Sequence, residues 1–235
     1  MEQNLQDLAD KIIKYTEQSG VQYCDVRAEQ QIKKSILIEN KEIEHIRNSE
    51  DKGIGVRLIK NGAWSFCSIT NPKSFDEIKN ILDKTIKNSD YTNSNKKNKI
   101  NLHNNPINKK QINFPVIKKP EIEELTSIGL ECNEIMMNSP AIIRSVTNPY
   151  FVTNSKYFVN SEGSKILQNF TDVIMEMVAT AHESGITQSV NITEGGRGGM
   201  ELIQSKSQQS AKEISVKASE LIKAKPVKEE KTTLV

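Results

Sequence analysis

His182-Glu183 is the first pair in the sequence that could do chemistry, because a His followed by Glu opens the helix motif of many zinc peptidases. That motif needs a second His one helical turn on, so that both imidazoles reach one metal. Here Ser184-Gly185-Ile186-Thr187 follows, and Gly185 argues against a helix at all. His45 and His103 stand far apart, with no Cys or carboxylate at ligand spacing. The run Gly195-Gly196-Arg197-Gly198-Gly199 raises the question of a phosphate cradle. It lacks the Lys-Ser/Thr ending of a P-loop and the spacing of a dinucleotide loop, so a bend allowing close packing is the expected role. Cys24, Cys67 and Cys132 fall on predicted strands or an apolar helix face, where thiols behave as small hydrophobes. No Gly-x-Ser-x-Gly nucleophile elbow occurs. Trp64 and Phe66 share a predicted hairpin and are expected mainly to pack in a core, with a binding surface as the alternative. Lys223, Lys225, Lys228 and Lys231 have no interleaved aromatics of the kind that stack on bases. No residue is therefore assigned a catalytic, cofactor-binding or metal-binding role.

The elements around these residues form a repeated pattern. Leu5, Leu8, Ile12 and Tyr15 recur at helical spacing, and Ser19-Gly20 supplies a stop. Strand-like runs follow at 21–29 and 35–39, then Asn40-Lys41 as a turn, 42–47, and 53–59. Asn61-Gly62 between Leu58-Ile59 and Ala63-Trp64 is a strong hairpin signal. Ser74 with Glu77 three residues on caps a second helix carrying Phe75, Ile78, Leu82 and Ile86. Residues 88–113 hold nine Asn and five Lys with little periodicity, which reads as a flexible connection. The plan then recurs. A helix carries Ile122, Leu125, Ile128 and Cys132, strands are expected at 141–147, 150–153 and 156–159, and Ser161-Glu162-Gly163 forms a turn. A long bent strand at 165–181, another at 186–192, and a last helix with Ala211, Ile214, Ala218 and Leu221 complete it.

The expectation is an α+β fold of two successive units, each a helix, an antiparallel β-meander and a helix, joined by the Asn/Lys-rich connection. The boundaries are 1–91, a linker at 92–116, 117–225, and 226–235 as the start of a further region. Thr232-Thr233-Leu234-Val235 is β-prone and apolar, and it reads as a strand cut short. Over 235 residues, 32 basic side chains nearly balance 30 acidic ones, so no strong field draws the chain to nucleic acid or anionic lipid. No apolar stretch approaches the ~18 residues that span a bilayer, and the polar N-terminus does not read as a signal peptide. Three Cys without a Cys-x-x-Cys favour a reducing compartment, so the expected location is cytoplasmic.

One set of segments is similar to a known family. Cys24-Asp25-Val26-Arg27, Ile38-Glu39-Asn40, Asp51-Lys52-Gly53-Ile54-Gly55-Val56-Arg57 and Asn61-Gly62-Ala63-Trp64-Ser65-Phe66 resemble the N-terminal region of the TldD/PmbA metallopeptidases. Tyr157-Phe158-Val159-Asn160-Ser161-Glu162-Gly163 and the Gly195 to Gly199 run resemble its second region, and Gly62-Ala63-Trp64-Ser65-Phe66 looks more like the TldD branch. The resemblance implies a zinc enzyme whose HExxxH helix lies in a third region, after a strand like Thr232 to Val235. Zinc is therefore implied for the full-length family protein and none for this chain, which lacks HExxxH and is expected to be inactive alone. It implies a PmbA-type paralogue or a second copy as partner, in a dimer, and unfolded or extended peptide as substrate. This part would then serve assembly and substrate gating. The alternative is a stand-alone interaction module or inactive partner subunit.

Overall fold

The computed structural model describes residues 3–93, 99–100, 102–103 and 105–225. The chain runs α1 (Gln3–Gln18), β1 (Tyr23–Glu39), β2 (Glu42–Lys60), β3 (Ala63–Thr70), α2 (Phe75–Asn93), β4 (Lys109–Asn113), α3 (Ile122–Met137), β5 (Ile142–Asn160), β6 (Lys165–Glu183), β7 (Ile186–Arg197), a single 3-10 turn (Met200–Leu202) and α4 (Lys206–Leu221). Helix, strands and helix follow each other twice, and the fold is α+β as expected. Strands pair in the order β3-β2-β1-β5-β6-β4, with β7 also on β6. By contact the chain forms two compact units. The first comprises 1–33, 48–116 and 152–172, and the second 34–47, 117–151 and 173–235.

In the first unit, the apolar stripe of α1 (Leu5, Leu8, Ala9, Ile12) and that of α2 (Ile78, Leu82, Ile86) share one core. Cys24, Val26 and Ala28 of β1 and Ile54, Val56 and Leu58 of β2 face it, because alternate residues of a strand point the same way. Gly20 ends α1 with φ 69°. The Asn61-Gly62 turn has φ 53° and 78°, as a type I′ hairpin requires. It sets the register Lys60↔Ala63 through Gly53↔Thr70. Glu77 N–H donates to Ser74 Oγ at 3.4 Å while the Glu77 carboxylate accepts from Lys73 N–H at 3.2 Å, so the expected cap is present.

In the second unit, α3 lays Leu125, Ile128, Cys132 and Met136 against Ile36 and Ile38 of β1 and Val173, Met175 and Met177 of β6. Ala211, Ile214 and Ala218 of α4 join the same core. A Cβ at Gly129 would lie 2.8 Å from Ile38 Cδ1 and 3.0 Å from Pro149 Cγ, so glycine sets how closely α3 approaches the sheet.

Several expectations change. The runs 21–29 and 35–39 are one strand, as are 42–47 with 53–59 and the three pieces within β5, because polar residues between apolar ones leave a core without ending a strand. Residues 88–113 hold more structure than expected: α2 continues to Asn93, and β4 pairs in parallel with β6, Lys109↔Lys165 through Asn113↔Asn169. β4 is held by polar groups that hydropathy does not see. Asn108 N–H donates to Ser164 Oγ at 3.0 Å, Asn169 Nδ2 to Asn113 Oδ1 at 2.9 Å, and Phe114 N–H to Asn169 O at 2.9 Å. Residues 226–235, including Thr232 to Val235, lie outside the described residues. Among those described, no helix is long and apolar enough to cross a membrane.

Candidate functional site

On the face of the first unit's sheet away from its helices, alternation brings out Tyr23, Asp25 and Arg27 of β1, Arg57 of β2, Trp64 and Phe66 of β3, and Phe158 of β5. Asp25 organises them. Its carboxylate is buried, yet both of its neighbours are about half exposed. Arg27 Nη1 donates to Oδ1 at 2.9 Å, and Arg57 Nε and Nη2 both donate to Oδ2, at 2.8 and 2.7 Å. Each guanidinium also lies over a ring: Arg57 over Trp64 at 4.7 Å and Arg27 over Phe158 at 5.4 Å. Tyr23 meets Trp64 edge-on at 6.0 Å. Two fixed cations around one carboxylate leave one net positive charge on an aromatic floor.

Beside this cluster lies an open depression of about 510 Å3. Its floor is Gly53 and Gly55, whose cross-strand partners are Thr70 and Ser68. Arg27, Glu29 and Gln31 of β1 stand on one side, and Phe66 closes over Gly55 from the other. Such a surface can hold a carboxylate or a flat apolar group. It contains no nucleophile paired with a base.

The residues singled out in the sequence do not assemble into a catalytic centre. His182 is the last but one residue of β6, before a hairpin, with Nδ1 2.8 Å from Thr187 Oγ1, and Ser184 and Gly185 turn the chain with φ 53° and 83°. His45 lies on β2, and His103 is exposed between α2 and β4. Among the described residues no three His, Cys, Asp or Glu side chains converge on a point that could hold a metal, so these residues do not fit the zinc implied by the resemblance. The glycine run packs backbone against backbone, as expected: a Cβ at Gly195 would strike Val173 O, and one at Gly199 would strike Lys118 O. Its last amide is occupied within the chain. Gly199 N–H donates to Glu201 Oε1 at 2.7 Å and Lys118 N–H to Oε2 at 3.0 Å. Desolvation pushes the Glu201 carboxyl up, and these backbone N–H bonds more than offset it, so it sits below the usual carboxylate range.

Burial pushes the thiols of Cys24 and Cys132 up to about 12, and Cys67 is raised for the same reason. Lys223 and Lys225 are exposed, whereas Lys228 and Lys231 lie outside the described residues. The expected core packing of Trp64 and Phe66 is corrected: Trp64 is half-buried under Arg57 and Phe66 is 66% exposed. The hairpin places both on the face opposite Ala63 and Cys67. Asp25, Arg27 and Arg57 were not foreseen as a site. The signal available was Asp-x-Arg on one strand and Gly-x-Gly-x-Arg on the next, two short patterns that mean little until the strands pair.

These clustered residues fall in the segments that compare with known proteins. Residues 24–89 match the profile described as PmbA/TldA metallopeptidase domain 1, and residues 115–225 match that of the PmbA/TldA metallopeptidase central domain. The chain belongs to the PmbA/TldD metallopeptidase family. A metalloprotease of Methanocaldococcus jannaschii is 29% identical over 208 residues, covering 87% of this chain and 45% of that protein. A metalloprotease of Methanothermobacter thermautotrophicus is 24% identical over 211 residues, covering 88% of this chain and 44% of that protein. Among solved structures, a Thermotoga maritima protein described as a modulator of DNA gyrase superposes with a TM-score of 0.73 at 12% identity, over 95% of this chain and 50% of its own. TldE of Thermococcus kodakarensis gives 0.67 at 13%, over 90% and 47%. Both show that nearly the whole chain shares their fold. The chain spans about half the length of each of these proteins.

Proposed function

We propose that this chain is the non-catalytic N-terminal part of a TldD-type zinc metallopeptidase, and that it contributes assembly and substrate gating to the cleavage of short or unfolded peptides. The observation that carries the reading is the ordered match to domain 1 and the central domain of the family across residues 24–225. Two features support it. The described residues offer an open sheet face that carries no nucleophile paired with a base and is suited to an extended chain, which can be held by backbone and shape. The edge strand β3 is short and exposes Phe66, Ser68 and Thr70. The partner in this reading is a PmbA-type paralogue or a second copy, and the compartment is the cytoplasm. Zinc and the cleavage step belong to residues outside this chain, so no step of the reaction is assigned to its side chains.

The test is a peptidase assay with zinc, on one polypeptide presented unfolded and folded. The native protein should cleave the unfolded form and spare the folded one, and the 235-residue chain alone should cleave neither. Cleavage by the 235-residue chain, or none by the native protein, would contradict the reading.

A further inference from the structure

The depression beside the arginine pair has a shape that selects one end of a peptide. Gly53 and Gly55 leave bare backbone along about 7 Å of β2, the span of one two-residue repeat. The next side chain of β2 on the same face is Arg57, held by Asp25 and laid over Trp64, and Arg27, bonded to the same carboxylate, walls the trough at that end. Asp51, at the other end of the glycine pair, is exposed. A segment entering from the Asp51 side must stop at the guanidiniums, so the trough suits a chain end and not a chain passing through.

The chemistry at the closed end is that of a carboxylate receptor. Asp25 uses only Nη1 of Arg27, which leaves the Nε and Nη2 edge of that guanidinium without a partner among the described residues. That edge is the planar two-donor fork that matches a carboxylate. Its orientation is already fixed by Asp25 and by the Phe158 ring, so little freedom is lost on binding. Glu29, the acidic neighbour on the same strand, lies 3.4 Å from the Lys156 ammonium and is offset by it. Phe66, 66% exposed above Gly55, supplies the apolar contact.

We infer that this trough binds the free C-terminus of a peptide that ends in an aromatic or large apolar residue. The terminal carboxylate sits on the Nε/Nη2 edge of Arg27, and the last side chain lies over the Gly53 backbone against the exposed Phe66 ring. The inference rests on the peptide reading above and narrows it to one end of one class of peptide.

The test is fluorescence anisotropy on the 235-residue chain with a pentapeptide that ends in phenylalanine and carries a fluorophore at its N-terminus. The peptide is compared as free acid and as carboxamide. The acid should bind at least tenfold more tightly. Arg27→Gln keeps much of the stem but removes the fork, and should bring the acid down to the level of the amide. Gly55 is extended and its Cβ direction meets only Phe66 at 3.6 Å, so Gly55→Val fills the trough within an intact strand and should abolish binding of both. Equal binding of acid and amide would overturn the inference. So would unchanged binding by a Gly55→Val variant of wild-type circular dichroism, or a single-stranded oligonucleotide that displaces the peptide at physiological salt. Binding requires neither zinc nor cleavage, so a native protein without peptidase activity would sink the earlier reading and leave this measurement standing.

Discussion

The Asp25 carboxylate is buried with both oxygens occupied by guanidinium donors. Asp25→Asn keeps the shape and removes the charge, leaving two cations side by side on the sheet and at least one donor facing an amide N–H. The expected cost is about 1–3 kcal/mol, read as a lower urea midpoint with unchanged slope. Because Arg27 and Arg57 are half exposed, water limits the loss. The buried thiols give a second prediction at this scale. Cys24 and Cys132 titrate near 12 when folded, against about 8.5 in an unfolded chain. Between those values the unfolded chain releases protons that the folded one keeps, so stability falls as pH rises, by at most about 1.4 kcal/mol per pH unit for each thiol. Cys132→Ala should flatten that slope in urea unfolding measured from pH 8.5 to 11, and an unchanged slope would contradict the assignment. Neither thiol should react with a disulfide reagent at pH 8 until denaturant is added. The burial of these thiols was legible from their neighbours in sequence. The Asp25 cluster was not, since its three charged residues come from two strands and acquire meaning only from their pairing.

At the scale of elements, one buried amide ties a turn, a strand and a helix of the second unit. Asn133 of α3 accepts at Oδ1 from Lys41 N–H at 2.6 Å and from Ser145 Oγ at 2.7 Å, and donates from Nδ2 to Ile38 O and Ser145 O, both at 3.3 Å. Lys41 needs that anchor, because the Asn40-Lys41 turn holds two non-glycine residues at φ 50° and 72°. Asn133→Ala should leave these groups unpaired and cost about 2–4 kcal/mol by thermal or urea unfolding, and Asn133→Asp should not rescue it. A loss under about 0.5 kcal/mol would show that the turn holds itself. Turn chemistry was the most readable feature of the sequence, at Asn61-Gly62 and at the Ser74 cap, because it depends on adjacent residues. The strand β4 could not be read in the same way. Only Ile112 is apolar within its Lys-Lys-Gln-Ile-Asn, and its place is set by bonds to Ser164 and Asn169, some 56 positions away in the chain.

For the molecule as a whole, β1 serves two cores, with Cys24, Val26 and Ala28 in one and Ile36 and Ile38 in the other. Periodicity showed both apolar stretches and could not show that they share a strand. The formal charge of +2 spread over 235 residues gives no footprint for nucleic acid. Binding to duplex DNA at ~0.15 M salt should therefore be no tighter than the ~10−4 to 10−6 M typical of nonspecific contact, and a nanomolar, steeply salt-dependent constant in a filter-binding assay would contradict the account. The family match covers most of the chain, whereas the chain covers about half the length of its relatives, and the proposed reading puts zinc on residues outside these 235. Native mass spectrometry of the product purified from source cells reads length and zinc content together. The account predicts a product longer than 235 residues that carries zinc. A product ending at Val235, or zinc held by the 235-residue chain itself, would contradict it.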